Sequence, residues 1–118
     1  MLNGKGSYLG TEINEQWWRR YMKDGLFARG AGEYWCDRSG FFFRRYLTRK
    51  PMVFHFDKML AVKTGHWHAG RWAGGPVLIK LIWKHDGDRL SSGFLLSRNV
   101  DEVEAMVGEF NRYINDKR

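Results

Sequence analysis

The stretch GEYWCDRSGFFFRRYL, residues 32–47, decides how the rest of the chain is read. Aromatic runs flank the turn-forming segment Asp37, Arg38, Ser39 and Gly40. That arrangement predicts an antiparallel hairpin, with strands over residues 27–36 and 41–47. Successive side chains in a strand point to opposite faces, so the neighbours Arg44 and Arg45 are expected to diverge.

The same grammar of short aromatic and β-branched runs continues outward to residue 96. MVFHF and MLAVKT read as two strands around Asp57 and Lys58, and VLIKLIWK and RLSSGFLL flank HDGD, whose Asp86 and Gly87 suit a tight hairpin turn. HWHAGRW reads as one more strand, which brings the expectation to about seven. Beyond them, Val103, Val107, Phe110 and Ile114 mark the apolar stripe of an amphipathic helix over residues 99–116, with Asn99 and Glu102 spaced as a capping box. On the other side, TEINEQWWRRYMKDG places Ile13, Trp17 and Tyr21 four residues apart, which predicts a helix over residues 11–24 with Thr11 as its cap and Gly25 as its stop. Residues 1–10, glycine-rich and polar, read as a flexible arm.

The 118 residues are 43% hydrophobic and 16% aromatic, which suits one folded domain over 1–118 and excludes a disordered chain. Cys36 is the one cysteine, so an internal disulfide is excluded and a reducing, cytoplasmic setting is expected. The start carries no secretory leader pattern, and no apolar run is long enough for a transmembrane segment. The formal charge of +7 is unevenly spread: residues 1–98 hold 17 bases against 8 acids, a net of +9, while residues 99–118 hold five acids and three bases. A positive body of this kind favours an anionic partner such as phospholipid, nucleic acid or an acidic protein.

The element order resembles the pleckstrin-homology-like (PH-like) superfold, in particular its GRAM-type domains. The carrying stretches are GEYWCDRSGFFFRRYL, similar to the first hairpin of that fold, and PMVFHFDKMLAVKTG, similar to its apolar strand, bend and following strand, the likeness spanning about residues 27–114. The resemblance implies a mainly β architecture: a two-sheet, partly open antiparallel barrel plugged at one end by the C-terminal helix. It also implies a non-catalytic binding or adaptor domain for protein or anionic phospholipid ligands, with no cofactor, peripheral at a membrane where the ligand is lipid.

The candidate ligand-binding residues fall in two places. RRYLTRK concentrates Arg44, Arg45, Arg49 and Lys50 around Tyr46. Arginines among aromatic rings can grip phosphates and stack on bases, which keeps a single-stranded nucleic-acid-binding domain as the alternative reading. GHWHAGRWAGG, residues 65–75, offers Trp67, Arg71 and Trp72 among glycines that bend a hairpin or bulged strand. His66 and His68 in the same stretch are spaced to chelate zinc, copper or nickel, but nothing at a ligand spacing supplies a third donor, so no metal is assigned. A small enzyme or metal-binding protein using this pair is the second alternative. Ser91 and Ser92 lack the strand-to-helix elbow of a serine nucleophile, so no catalytic residue is assigned. The tryptophans of WWRRYMK allow self-association into a homo-oligomer.

Overall fold

The computed structural model describes residues 2–72 and 74–117, with the backbone alone for Arg71 and Trp72. β1 (Asn3–Ile13) is the central strand, and β2 (Gln16–Arg20) folds back on its end. There follow β3 (Gly30–Cys36), β4 (Gly40–Arg45), β5 (Met52–His55), a 3₁₀ turn (Phe56–Lys58), β6 (Met59–Gly65), β7 (Trp67–His68), β8 (Arg71–Trp72), β9 (Leu78–His85), β10 (Asp88–Leu95) and α1 (Val100–Asp116). The antiparallel sheet runs β5-β4-β3-β1-β10-β9-β6. β1 pairs β3 through its first half, Asn3–Tyr8 against Gly30–Trp35, and β10 through its second, Ser7–Ile13 against Leu90–Leu95.

That division of partners along β1 curls the sheet onto itself. Phe41 and Phe43 of β4 and Phe54 of β5 then meet Phe94 of β10 at ring-centroid distances of 5.1, 5.2 and 5.5 Å, although β4 and β10 lie three places apart in the strand order. Edge strands β5 and β6 end the path and, among the described residues, do not pair with each other, so the architecture is a partly open barrel. α1 plugs one end with Val103, Met106, Phe110, Tyr113 and Ile114, whose three- and four-residue spacing is one helical face. Phe110 lies 5.4 Å from Phe41, and Tyr113 5.3 Å from Phe56. The Asn99 side chain accepts the Glu102 backbone N–H at 3.1 Å, and Glu102 accepts the Ser97 hydroxyl, as a capped helix start requires.

The structure corrects three expectations. Residues 11–24 form no helix: they hold the end of β1, the hairpin into β2 and the start of the segment leading to β3. The arm expected over residues 1–10 is instead most of β1, the strand at the centre of the sheet. The physical reason lies in the turn. Asn14 and Glu15 both take positive φ, 53° and 57°, between paired Ile13 and Gln16, which makes a two-residue hairpin turn. The left-handed conformation is unusual for glutamate, and Glu15 is held there by Lys63 (2.7 Å) and Arg89 (2.9 Å) from distant strands. HWHAGRW is likewise two short strands, β7 and β8, turned at Ala69 and Gly70, and contributes no strand to the main sheet. The first strand of the barrel is therefore β1, and the 32–47 hairpin supplies the second and third.

Candidate functional site

The β2–β3 segment, the β4–β5 loop, β5 with the 3₁₀ turn after it, and the end of β9 surround a cavity of about 770 Å³. Its floor is apolar: Leu26, Met52, Phe54 and Trp83, all buried. β5 alternates buried Met52 and Phe54 with exposed Val53 and His55, so one short edge strand supplies part of the floor and part of the mouth. The rim is cationic, with Arg45, Arg49, Lys50, Lys58 and Lys84 joined by His55 and His85. Asp24 is the one carboxylate among the described lining residues. A wall of apolar surface below several guanidinium and ammonium groups can take an anionic group and the apolar body attached to it.

Beneath the floor runs a chain of buried hydrogen bonds whose direction is fixed by its ends. The Trp83 indole N–H can only donate, and it donates to Ser92 Oγ at 3.0 Å. The Leu26 carbonyl can only accept, and it accepts from the Tyr8 hydroxyl at 2.7 Å. Between them Ser92 donates to Thr11 Oγ1 (2.7 Å) and Thr11 donates to Tyr8 (2.6 Å), so each hydroxyl gives once and takes once. Burial pushes the Tyr8 phenol up to about 12, so the hydroxyl keeps its proton and remains the donor to Leu26. Two lining residues, Leu26 and Trp83, are thereby tied through β1 and β10. Thr11→Val breaks this chain in the middle and is expected to cost about 1–3 kcal/mol, read by urea unfolding. A change below about 0.5 kcal/mol would show that the hydroxyls satisfy one another without it.

A second tie closes the mouth from outside. The Tyr21 hydroxyl donates to Asp24 Oδ2 at 2.5 Å, and the same oxygen lies 2.9 Å from His85 Nε2. These two bonds, that from Tyr21 foremost, hold the Asp24 carboxyl below the usual range, and Asp24 pushes the Tyr21 phenol up to about 12. Asp24, His85 and Asp86 have donor atoms within 4.8 Å of one another, a spacing open to a divalent cation, yet both carboxylates are exposed, His85 is half-buried, and the Asp24–His85 pair is already hydrogen bonded.

The structure separates the residues singled out from the sequence. Arg45, Arg49 and Lys50 stand at the rim. Arg44 points the other way and pairs with Glu33, as adjacent strand positions demand. Trp67 is exposed on the β7–β8 ribbon, and the side chains of Arg71 and Trp72 lie outside the described residues. His66 is exposed while His68 is fully buried, its Nε2 donating to the Gly10 carbonyl at 2.8 Å. The pair is thus split between solvent and interior. Cys36 is buried, and burial pushes its thiol up to about 12, far from a reactive thiolate. Lys58, Lys84 and the Asp24–Leu26 wall carried no local signal, because barrel closure alone brings them to the other cations.

No helix among the described residues is long and apolar enough to cross a membrane. A comparison with curated proteins found no match. The model of a family described as bacterial PH domain-like matches residues 1–111, which takes in β1 and β2 as well as the strands legible from sequence.

Proposed function

The chain belongs to the bacterial PH domain-like family, and on that footing we propose that it is a non-catalytic binding module whose cation-rimmed cavity takes the anionic headgroup of a phospholipid. The observation that carries the reading is the pairing of a buried apolar floor with five rim cations against a single carboxylate. Phosphate oxygens would be held by the guanidinium groups of Arg45 and Arg49 and the ammonium groups of Lys50, Lys58 and Lys84, while Leu26, Met52, Phe54 and Trp83 face the apolar part of the ligand. Such a module works at the membrane surface, as a peripheral protein.

The test is co-sedimentation with phosphatidylcholine vesicles, with and without phosphatidylglycerol, at low and near-physiological salt. Arg49→Glu/Lys50→Glu is expected to weaken binding to the anionic vesicles about tenfold or more. Arg112→Glu/Lys117→Glu changes the charge equally outside the cavity, at the end of α1, and is expected to have a much smaller effect. Equal losses in the two variants would mean that net charge alone is read. Stronger retention of single-stranded nucleic acid or of an acidic protein than of lipid would replace phospholipid as the ligand.

A further inference from the structure

The segment leading from β1 to β3 keeps large apolar side chains in water. Trp17 and Trp18 of β2 are 61% and 62% exposed, and Met22 and Phe27 beyond them 54% and 56%. Leu47 of the β4–β5 loop, next in sequence to the cavity-lining Thr48, is fully exposed. These groups share one end of the barrel. The Asn14 N–H donates to the Arg89 carbonyl at 2.8 Å, which seats the β1–β2 turn against the strand that follows the β9–β10 turn, where His85 lines the cavity. The Arg45 guanidinium donates to the Ala28 carbonyl, which ties the β2–β3 segment to the start of the β4–β5 loop.

The tryptophans are also held, which an accidental exposure would not require. Their rings meet edge to face at 5.8 Å. The ring of Trp17 covers Gly70, where a Cβ would lie 3.6 Å away. Gly70 sits in the β7–β8 ribbon, and that ribbon is anchored to β1 by His68 on the Gly10 carbonyl and by the Ala69 N–H on Glu12 Oε2 at 2.7 Å. Phe27 is fixed by Arg20, which donates to its carbonyl at 2.7 Å and lies 5.9 Å over its ring. Preorganised, exposed apolar rings belong to a surface that meets something.

Charge decides what it meets. Arg19 and Lys23 lie among the exposed rings, Arg49 and Lys50 lie beside Leu47, and among the described residues none of these four forms an ion pair with a carboxylate. Two copies of a +7 chain meeting through this face would oppose cation to cation. A neutral apolar partner would leave the cations desolvated. An anionic bilayer satisfies both sets of groups, because an indole joins a broad apolar face to an N–H donor and settles at headgroup depth while Lys and Arg meet lipid phosphates.

We propose that the β1–β2 hairpin and the segment after it form an interfacial anchor, with Trp17 and Trp18 seated at the headgroup level of an anionic phospholipid bilayer. The anchor rests on the reading of the cavity as a lipid site in one respect only, that both face the same bilayer. The experiment takes the full chain with phosphatidylcholine–phosphatidylglycerol vesicles whose acyl chains are brominated near the headgroup. It is paired with calorimetric binding of a short-chain phosphatidylglycerol below its micelle concentration, which reads the cavity without a bilayer. Tryptophan emission of the unmutated protein is expected to be quenched, and Trp17→Ser/Trp18→Ser to lose about tenfold or more in vesicle affinity, with most of the quenching, while short-chain lipid binds as before. Unchanged vesicle affinity and quenching in the variant would overturn the anchor. So would a parallel loss of short-chain binding, since the rings would then act through the cavity. Wild-type protein that binds short-chain lipid but no vesicle overturns the anchor and leaves the cavity reading, and binding of neither overturns both. A tryptophan-dependent dimer in sedimentation would assign the face to a second copy. If the double variant fails to fold, Trp17→Phe and Trp18→Phe taken singly are each expected to lose part of the quenching, and unchanged quenching in both overturns the anchor.

Discussion

Phe94→Ala is expected to cost about 3–5 kcal/mol of folding stability, the upper range for a single core truncation. Phe94 is fully buried on β10 and contacts rings from both halves of the barrel: Tyr8 at 5.4 Å from β1, Phe41 and Phe43 from β4, and Phe54 from β5. Removing its ring leaves a cavity that no one neighbour can fill, since each is fixed in a different strand. A domain of this size holds about 5–15 kcal/mol in total, so the variant would approach the unfolding threshold at ambient temperature. Urea unfolding followed by tryptophan fluorescence measures the loss. A cost below about 1.5 kcal/mol would mean that the two halves of the sheet do not close over Phe94.

Phe94, Phe41 and Phe54 also explain why much of the barrel was legible. Tyr34 and Cys36, Phe41 and Phe43, and Met52 and Phe54 alternate with more exposed positions, but Trp35, Phe42 and Val53 between them are apolar as well, so what the sequence writes directly is short apolar runs bounded by turn residues. The α1 stripe is equally direct. β1 was not legible for the converse reason. Its residues Tyr8 to Glu12 are buried in succession, because the core covers one face and the β7–β8 ribbon the other. Thr11 and Glu12 are satisfied by Ser92 and Ala69, partners about 80 and 57 residues away, so a central strand has the composition of a loop.

The helix expected over residues 11–24 came from the same source as the candidate anchor. Ile13, Trp17 and Tyr21 form a helical stripe only if tryptophan is assumed to seek the core, and Trp17 and Trp18 are exposed. Where a surface serves binding, hydropathy periodicity misleads, because the side chains are placed for a partner outside the chain. The rim divides in a similar way. Arg45, Arg49 and Lys50 are neighbours in sequence and could be found by density. Lys58 and Lys84 reach the same mouth from the 3₁₀ turn after β5 and from the end of β9, a convergence made by topology.

Gly93→Ala is expected to evict the His68 ring and with it the ribbon that supports Trp17. Gly93 pairs with Gly10 at the crossing of β10 and β1, and a Cβ there would lie 2.2 Å from His68 Cδ2. The ring has no room to retreat, being fully buried and bonded through Nε2 to the Gly10 carbonyl. Overpacking of this kind costs about 1–3 kcal/mol. The loss should depend on pH in a way that identifies the ring. Burial holds His68 below its usual 6.5, with Lys80 and Arg29 pushing the same way and Glu12, 3.8 Å from Nδ1, together with the Gly10 bond pulling upward. The unfolded chain takes up the proton near 6.5 while the folded one resists it, so wild-type stability from this group is full above that pH and is lost as pH falls below it. With the ring in water, Gly93→Ala loses that dependence, and its deficit is therefore greatest at neutral pH and narrows in acid. Adding His68→Ala to Gly93→Ala should then cost almost nothing further, whereas His68→Ala alone destabilises by leaving Gly10 and Glu12 without the ring. Unfolding curves of the three variants at neutral and acidic pH measure both effects. A deficit constant with pH, or additive costs, would show that the methyl group is accommodated without moving His68.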